Sequence, residues 1–146
     1  MLVAGRWHLC DDGVTRPLLR TNVVGAHGRA VAEDLLIDSG ADRTVLSATC
    51  LSRLGLPAEP APSGLALSGI GGRSDFVLMH TALEFVRTDG GALRVRGQFA
   101  CFTDSTATDF SVLGRDVLDL FDLVISRPRN EILLIAGAHR YRVEPL

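Results

Sequence analysis

The chain of 146 residues contains no lysine, only 5% aromatic residues and three cysteines. Its fifteen basic residues are all arginines, scattered from Arg6 to Arg142 without a run or a one-sided stripe, which argues against a nucleic-acid partner. The odd cysteine count at wide spacing fits neither a disulfide framework nor a C-x-x-C metal site. We therefore expect buried, reduced thiols at Cys10, Cys50 and Cys101.

Long apolar runs are also missing. No run approaches the ~20 residues of a membrane span, and the starting segment MLVAGRWHLCDDG lacks the basic and apolar regions of a secretory signal. A cytoplasmic protein with no membrane partner is the expectation. The four histidines share no metal-ligand spacing, so we also expect no metal and no cofactor.

What the sequence does contain is enough apolar material for a core. Hydrophobic residues make up 47% of the chain, charged residues 22%, and the net charge is -2. A folded chain of this size buries roughly 70% of the surface of its unfolded form, so it needs no disulfide or metal for stability. We expect residues 1–146 to form a single domain.

Alternation of apolar and polar residues, broken by glycine-containing turns, predicts a mainly β structure. Helical spacing occurs only twice, at Ser47–Leu54 and Arg115–Phe121. The proline-rich segment 57–62 has no role that the pattern indicates. The predicted strands are 15–24, 30–37, 64–67, 76–86, 93–103, 123–126 and 132–135.

Three segments carry candidate chemistry. In the first, the apolar strand ending at Ile37 is followed by Asp38-Ser39-Gly40, which places a carboxylate at the end of a buried strand beside N–H and O–H donors. Taken alone, this triplet is also an ordinary turn sequence in which aspartate caps the following backbone.

The other two segments also contain glycine. Residues 67–74, Leu-Ser-Gly-Ile-Gly-Gly-Arg-Ser, predict a mobile hairpin tip, and residues 111–118, Ser-Val-Leu-Gly-Arg-Asp-Val-Leu, predict a strand that meets a short helix at Gly114. Read alone, the charged pair Arg115 and Asp116 indicates only a solvated corner. The order and spacing of the three segments are much more specific than any one of them.

Together they resemble the retropepsin-like aspartic proteases, over about Thr15 to Ile135. The resemblance implies an all-β acid protease fold, a closed or partly open β-barrel with a glycine-rich flap hairpin and one or two short helices. The extra residues at both ends of this span suggest a cellular or bacterial member rather than a viral one.

The resemblance also implies roles for individual residues. Asp38 is the catalytic carboxylate, Ser39 hydrogen-bonds across the two halves of the active site, and Gly40 presents its backbone to substrate. Arg115, in the helix that follows Gly114, pairs with Asp42 to brace the floor in a partly buried site. The implied substrate-binding residues are Ala41, Asp42, Gly69, Ile70, Gly71 and Gly72, the last four forming the flap tip.

A single Asp-Ser-Gly implies a homodimer. Peptide hydrolysis in this class uses two facing carboxylates that share one proton, and a two-fold axis supplies the second from another copy. The expected partners are thus a second copy and an extended peptide or protein substrate, with hydrophobic side chains favoured beside the cleaved bond.

Other functions remain open on the residues alone. The main alternative is a catalytically silent retropepsin-like module that dimerises and binds peptides without cutting them, because a fold does not determine a function. A dinucleotide loop at residues 69–74 is disfavoured, since a strand and not a helix follows it. A Cys101 nucleophile lacks any feature that would lower its pKa.

Overall fold

The computed structural model describes residues 1–63, 67–69, 72–104 and 110–137, with the backbone alone at 68, 69 and 72–74. Within these ranges the chain is mainly β, as predicted. Two short α-helices are present, α1 (Ala48–Leu54) and α2 (Arg115–Leu118). The strands are β1 (Leu2–Ala4), β2 (Arg6–Leu9), β3 (Thr15–Val24), β4 (Ala30–Ile37), β5 (Val45–Leu46), β6 (Glu59–Pro60), β7 (Leu67–Gly69), β8 (Gly72–Ser74), β9 (Phe76–Val86), β10 (Ala92–Phe102), β11 (Ser111–Leu113), β12 (Asp122–Ser126) and β13 (Glu131–Ile135).

The long strands form antiparallel hairpins where the alternating pattern predicts them. Strands β3 and β4 pair from Val24 opposite Ala30 to Leu18 opposite Leu36, and β9 and β10 pair along their full lengths. The loop between β3 and β4 turns through His27 and Gly28, which both have positive φ. These hairpins confirm the predicted strands 15–24, 30–37, 76–86 and 93–103 to within a residue.

The largest sheet closes on itself. Its order is β2-β3-β4-β11-β5-β10-β9-β6, and an additional pairing of β3 with β9 makes a ring of the six strands from β3 to β9 in that order. Strands β2 and β6 lie outside this ring at the two edges. A separate three-stranded sheet has the order β1-β13-β12.

The position of β11 decides where the candidate site forms. Strands β4 and β5 are consecutive in the chain, but β11 lies between them, parallel to β4 and antiparallel to β5. The segment that joins β4 to β5 must therefore pass over the end of β11. That segment contains Asp38, Ser39 and Gly40.

The main core is shared by the strand ring, α1 and the three-stranded sheet. The fully buried residues of this core include Leu19, Leu35, Leu83 and Phe85 from the strands and Cys50 and Leu54 from α1. Leu67 and Phe102 pack against a second, smaller cluster, whose buried members are Val45, Phe76, Leu78 and Ala100.

Both predicted helices are present, and the second is shorter than expected. Ser47 caps α1 by accepting a hydrogen bond from the Cys50 N–H at 3.0 Å, and Gly55 ends it with a φ of 64°. Helix α2 ends at Leu118 instead of Phe121, because the following N–H groups of Leu120 and Phe121 bond three residues back, in a tightened last turn.

The strands that the pattern missed are short. Strands β1, β2, β5 and β8 have two to four residues each, too few to show an alternation of their own. The proline-rich segment contributes β6, where Pro60 lies at a sheet edge that needs no N–H donor. Of the predicted strand 64–67, residues 64–66 lie outside the described ranges.

The three cysteines are buried and free, as expected. Burial raises the pKa of the Cys50 and Cys101 thiols to about 12, so both remain protonated at neutral pH. In the part of the chain that the structure describes, no helix combines the length and apolar character needed to cross a membrane.

Candidate active site

The turn after β4 holds the candidate catalytic carboxylate. The Asp38 N–H donates to the Leu113 carbonyl of β11 at 3.1 Å, and the Asp38 carbonyl accepts from the Ala41 N–H at 3.2 Å. The Gly40 N–H donates to Asp38 Oδ1 at 2.9 Å. Since Ile37 is buried and Asp38 is exposed, the chain turns from core to solvent at this residue.

This turn presents its polar groups outward. Asp38, Ser39 and Gly40 are all exposed, and the Ser39 hydroxyl makes no hydrogen bond to the described residues. One backbone N–H orients the carboxylate, while Asp38 Oδ2 has no hydrogen bond within the described ranges. The carboxylate is therefore both fixed in place and accessible to a water or a substrate.

The first turn of α2 supports the segment that follows. The Arg115 N–H donates to the Ala41 carbonyl at 2.9 Å, and the Asp116 N–H to the Asp42 carbonyl at 3.3 Å. Two of the free N–H groups that begin a helix are thus satisfied by the Ala41 and Asp42 carbonyls. These two bonds join residues that lie more than seventy positions apart.

Arg115 and Asp42 form an ion pair, the contact expected from the resemblance, and Asp42 raises the pKa of Arg115 by its side-chain hydrogen bond. The expected burial is wrong. The side chains are 54% and 79% exposed, so water and salt screen the pair, and it contributes little to the free energy of unfolding.

The buried link between the two segments is one that sequence reasoning missed. Thr44 is fully buried, and both its N–H and its hydroxyl donate to Asp116 Oδ1, at 2.8 and 2.7 Å. The same hydroxyl accepts from the Gly114 N–H at 3.0 Å. Asp116 is exposed, in agreement with the predicted solvated corner, and only the pairing of β11 with β5 reveals that its carboxylate also bonds Thr44.

Gly114 permits the close approach that this link needs. A Cβ at this position would lie 2.3 Å from the Arg43 carbonyl carbon and 2.8 Å from the Thr44 nitrogen. Backbone atoms cannot move aside as a flexible side chain can. The glycine predicted at the strand-to-helix corner therefore has a steric reason.

A second hydrogen-bond network that the sequence did not predict involves Glu33, Ser47 and Ser111. Glu33 Oε1 accepts hydrogen bonds from the Ser47 hydroxyl at 2.9 Å and the Ser111 hydroxyl at 2.6 Å. Ser111 in turn accepts from the Ser47 N–H at 2.7 Å. These bonds connect β4, the start of α1 and β11, the three elements that flank the candidate site.

The predicted flap is described only in part. Gly69 and Gly72 are paired residues of the antiparallel hairpin β7–β8, while Ile70 and Gly71 lie outside the described residues. Leu67, at the base of this hairpin, packs against the smaller core cluster. The contact of these residues with a substrate stays a prediction.

Comparisons with known proteins agree on the fold. A family model described as "Aspartyl protease" matches residues 20–117. The chain is similar to the EIAV protease solved with the inhibitor HBY-793, at 20% identity over 71% of this chain and 86% of that one, with a TM-score of 0.53. It is also similar to a retropepsin-like aspartic protease from Rickettsia conorii, at 15% identity over 92% of this chain and 97% of that one, with a TM-score of 0.55. No curated protein matches the chain.

Proposed function

Because the chain belongs to the aspartyl protease family, we propose that it is a homodimeric aspartic endopeptidase in which each protomer supplies one Asp38. The observation that carries this proposal is the position of Asp38, exposed at the end of a buried strand with Oδ1 held by the Gly40 N–H. A carboxylate held in this way can face its two-fold mate without rearrangement of the fold.

The two carboxylates share one proton, because two negative charges about 3 Å apart repel each other strongly. The ionised carboxylate accepts a proton from a water molecule while the oxygen of that water bonds to the scissile carbonyl carbon. The protonated carboxyl donates a hydrogen bond to the developing oxyanion. Breakage of the C–N bond then leaves a carboxylic acid and an amine, and the amine nitrogen takes its proton from the carboxyl that donated to the oxyanion.

The neighbouring residues have supporting roles in this proposal. Ser39 hydrogen-bonds across the dimer to the other active-site turn, and Gly40 exposes its backbone to the substrate. Ala41 and Asp42 border the bound peptide. Arg115 supports the segment through its N–H bond to the Ala41 carbonyl, and Gly114 through its N–H bond to the Thr44 hydroxyl.

The substrate lies extended between this floor and the flap residues 69–72, and its backbone hydrogen-bonds in the manner of an added strand. Side chains on alternate residues then point into pockets on opposite sides. Specificity follows from the lining of those pockets rather than from the substrate backbone.

The decisive experiment is a peptide-pool cleavage assay at acidic to neutral pH that compares the wild type with Asp38→Asn. The asparagine keeps an oxygen for the Gly40 N–H but cannot act as the base, so we expect cleavage to fall by at least about a thousandfold with the fold retained. Asp119→Asn, an exposed change at the end of α2, is the matched control and should cleave like wild type.

Equal cleavage by Asp38→Asn would refute the mechanism. If a dimeric wild type cleaves nothing in the pool, the peptide-binding module without catalysis becomes the better description.

A further inference from the structure

A cavity of about 560 Å³ lies beside the candidate active site, and sequence reasoning did not detect it. One wall is the β2–β3 hairpin with its turn, and the other is formed by β4 and the residue before β11. The polar lining includes His8, Asp11, Asp12 and Arg16, and the apolar lining includes Leu36 and Phe110. Its volume is in the range of small-ligand sites.

The apolar wall of the cavity adjoins the turn that contains Asp38. Leu35 and Ile37 are buried in the core, so the intervening Leu36 faces the opposite side of β4, toward the cavity. Leu36 is paired with Val112 of β11 and precedes Asp38 by two residues. A side chain of a peptide bound over Asp38 therefore has this cavity within reach.

The hairpin wall of the cavity contains one paired carboxylate, that of Asp12. Asp12 accepts two hydrogen bonds from Arg16, at 2.8 and 2.5 Å, and one from the Val14 N–H at 3.0 Å. The Arg16 and Val14 bonds lower the pKa of Asp12 to about 2, so this ion pair is complete over the whole neutral range. Arg16 is thereby neutralised within the wall.

Asp11 differs from its neighbour. It is exposed, lines the cavity and makes no hydrogen bond or ion pair with the described residues. The cavity thus combines an apolar inner wall with one uncompensated carboxylate at its rim. That combination fits a long side chain with an apolar stem and a cationic end.

We propose that this cavity is a specificity pocket of the protease, in which Leu36 and Phe110 pack the stem of a substrate arginine or lysine and Asp11 pairs with its cationic group. This inference rests on the proposed function. It replaces the expectation of hydrophobic side chains beside the cleaved bond with basic ones, and in the proposed two-fold dimer each protomer supplies one such cavity.

The test uses peptides that differ in one residue beside the cleaved bond, with arginine, its neutral isostere citrulline, or glutamate. For the wild type we expect kcat/KM for arginine to exceed that for citrulline by about five- to tenfold, and glutamate to be the poorest. Asp11→Asn should remove the preference for arginine over citrulline, and Asp11→Arg should make glutamate the preferred residue. Asp119→Asn should keep the wild-type ratios.

Failure of the pocket and failure of the protease give different results. Cleavage with equal rates for arginine and citrulline, or an arginine preference that survives in Asp11→Asn, overturns the pocket and leaves the protease standing. If the wild type cleaves none of the peptides, their binding is measured by fluorescence anisotropy. An Asp11-dependent preference for arginine then supports the pocket in a binding protein, and equal affinities refute it.

Discussion

At the residue scale, the candidate site depends on a few polar groups with different exposures. Asp38 is exposed and held by one N–H, whereas Thr44 is fully buried and makes three hydrogen bonds. The visible ion pair of Arg115 with Asp42 lies in solvent. Stability at this site therefore depends more on the hidden threonine than on the charged pair.

Thr44→Val tests how much the buried Thr44 hydroxyl contributes to the free energy of unfolding. The substitution keeps the side-chain shape but leaves the buried Gly114 N–H without its acceptor, which we expect to cost about 1–3 kcal/mol of unfolding free energy. Urea unfolding measures the change. Thr49→Val, on the exposed side of α1, is the matched control and should stay within about 0.5 kcal/mol of wild type. Equal losses in both variants would contradict a specific role for the Thr44 hydroxyl.

Several of these residues could be predicted from the sequence and others could not. Asp38, Ser39 and Gly40 form a local turn, so a short motif contains all the information that places them together. Asp116 and Thr44 are 72 positions apart, and no local pattern shows that they meet.

At the element scale, α1 is linked to the site by its N-cap residue. Ser47 caps the helix at the Cys50 N–H and also donates to Glu33 on β4. The helix was predictable because its cap and its terminal glycine are local signals. Its link to Glu33 was not, since that bond depends on how β4 and β5 are arranged around β11.

Ser47→Ala removes both bonds in a buried position. We expect a loss of about 1–3 kcal/mol in unfolding free energy, because the Cys50 N–H and the Glu33 carboxylate each lose a partner. Ser52→Ala, in the same helix, is the control: its hydroxyl bonds the Thr49 carbonyl at the exposed surface, and its removal should have little effect. Thermal unfolding of the two variants side by side would refute the network if their midpoints coincide.

At the scale of the whole molecule, the described residues form a strand ring with a single Asp38 turn, and the proposed chemistry needs two such turns. Under the proposed function the catalytic unit is the dimer, and we expect activity to depend on the dimer rather than on the single chain. This is a property that mixing experiments can measure directly.

Wild type is mixed with an equal amount of Asp38→Asn while the wild-type concentration is kept constant. After the protomers have exchanged there are twice as many dimers, but only one in four carries two intact carboxylates. We therefore expect cleavage to fall to about half. Cleavage is followed over time after mixing. The control adds the same amount of an unrelated protein. Unchanged cleavage after exchange would mean that a single chain, or a dimer with one Asp38, is sufficient.

The sequence by itself determined the secondary structure of the long hairpins, the cap and the terminal glycine of α1, and the order of the three glycine-containing segments that indicate the fold. These features are encoded locally, by side-chain periodicity and backbone preference. Only the tertiary structure decided that β11 lies between β4 and β5, that the Arg115–Asp42 pair is solvated, and that Asp11 faces a cavity beside Leu36. Each of these depends on which distant surfaces meet and exclude water, and chain position alone carries no such information.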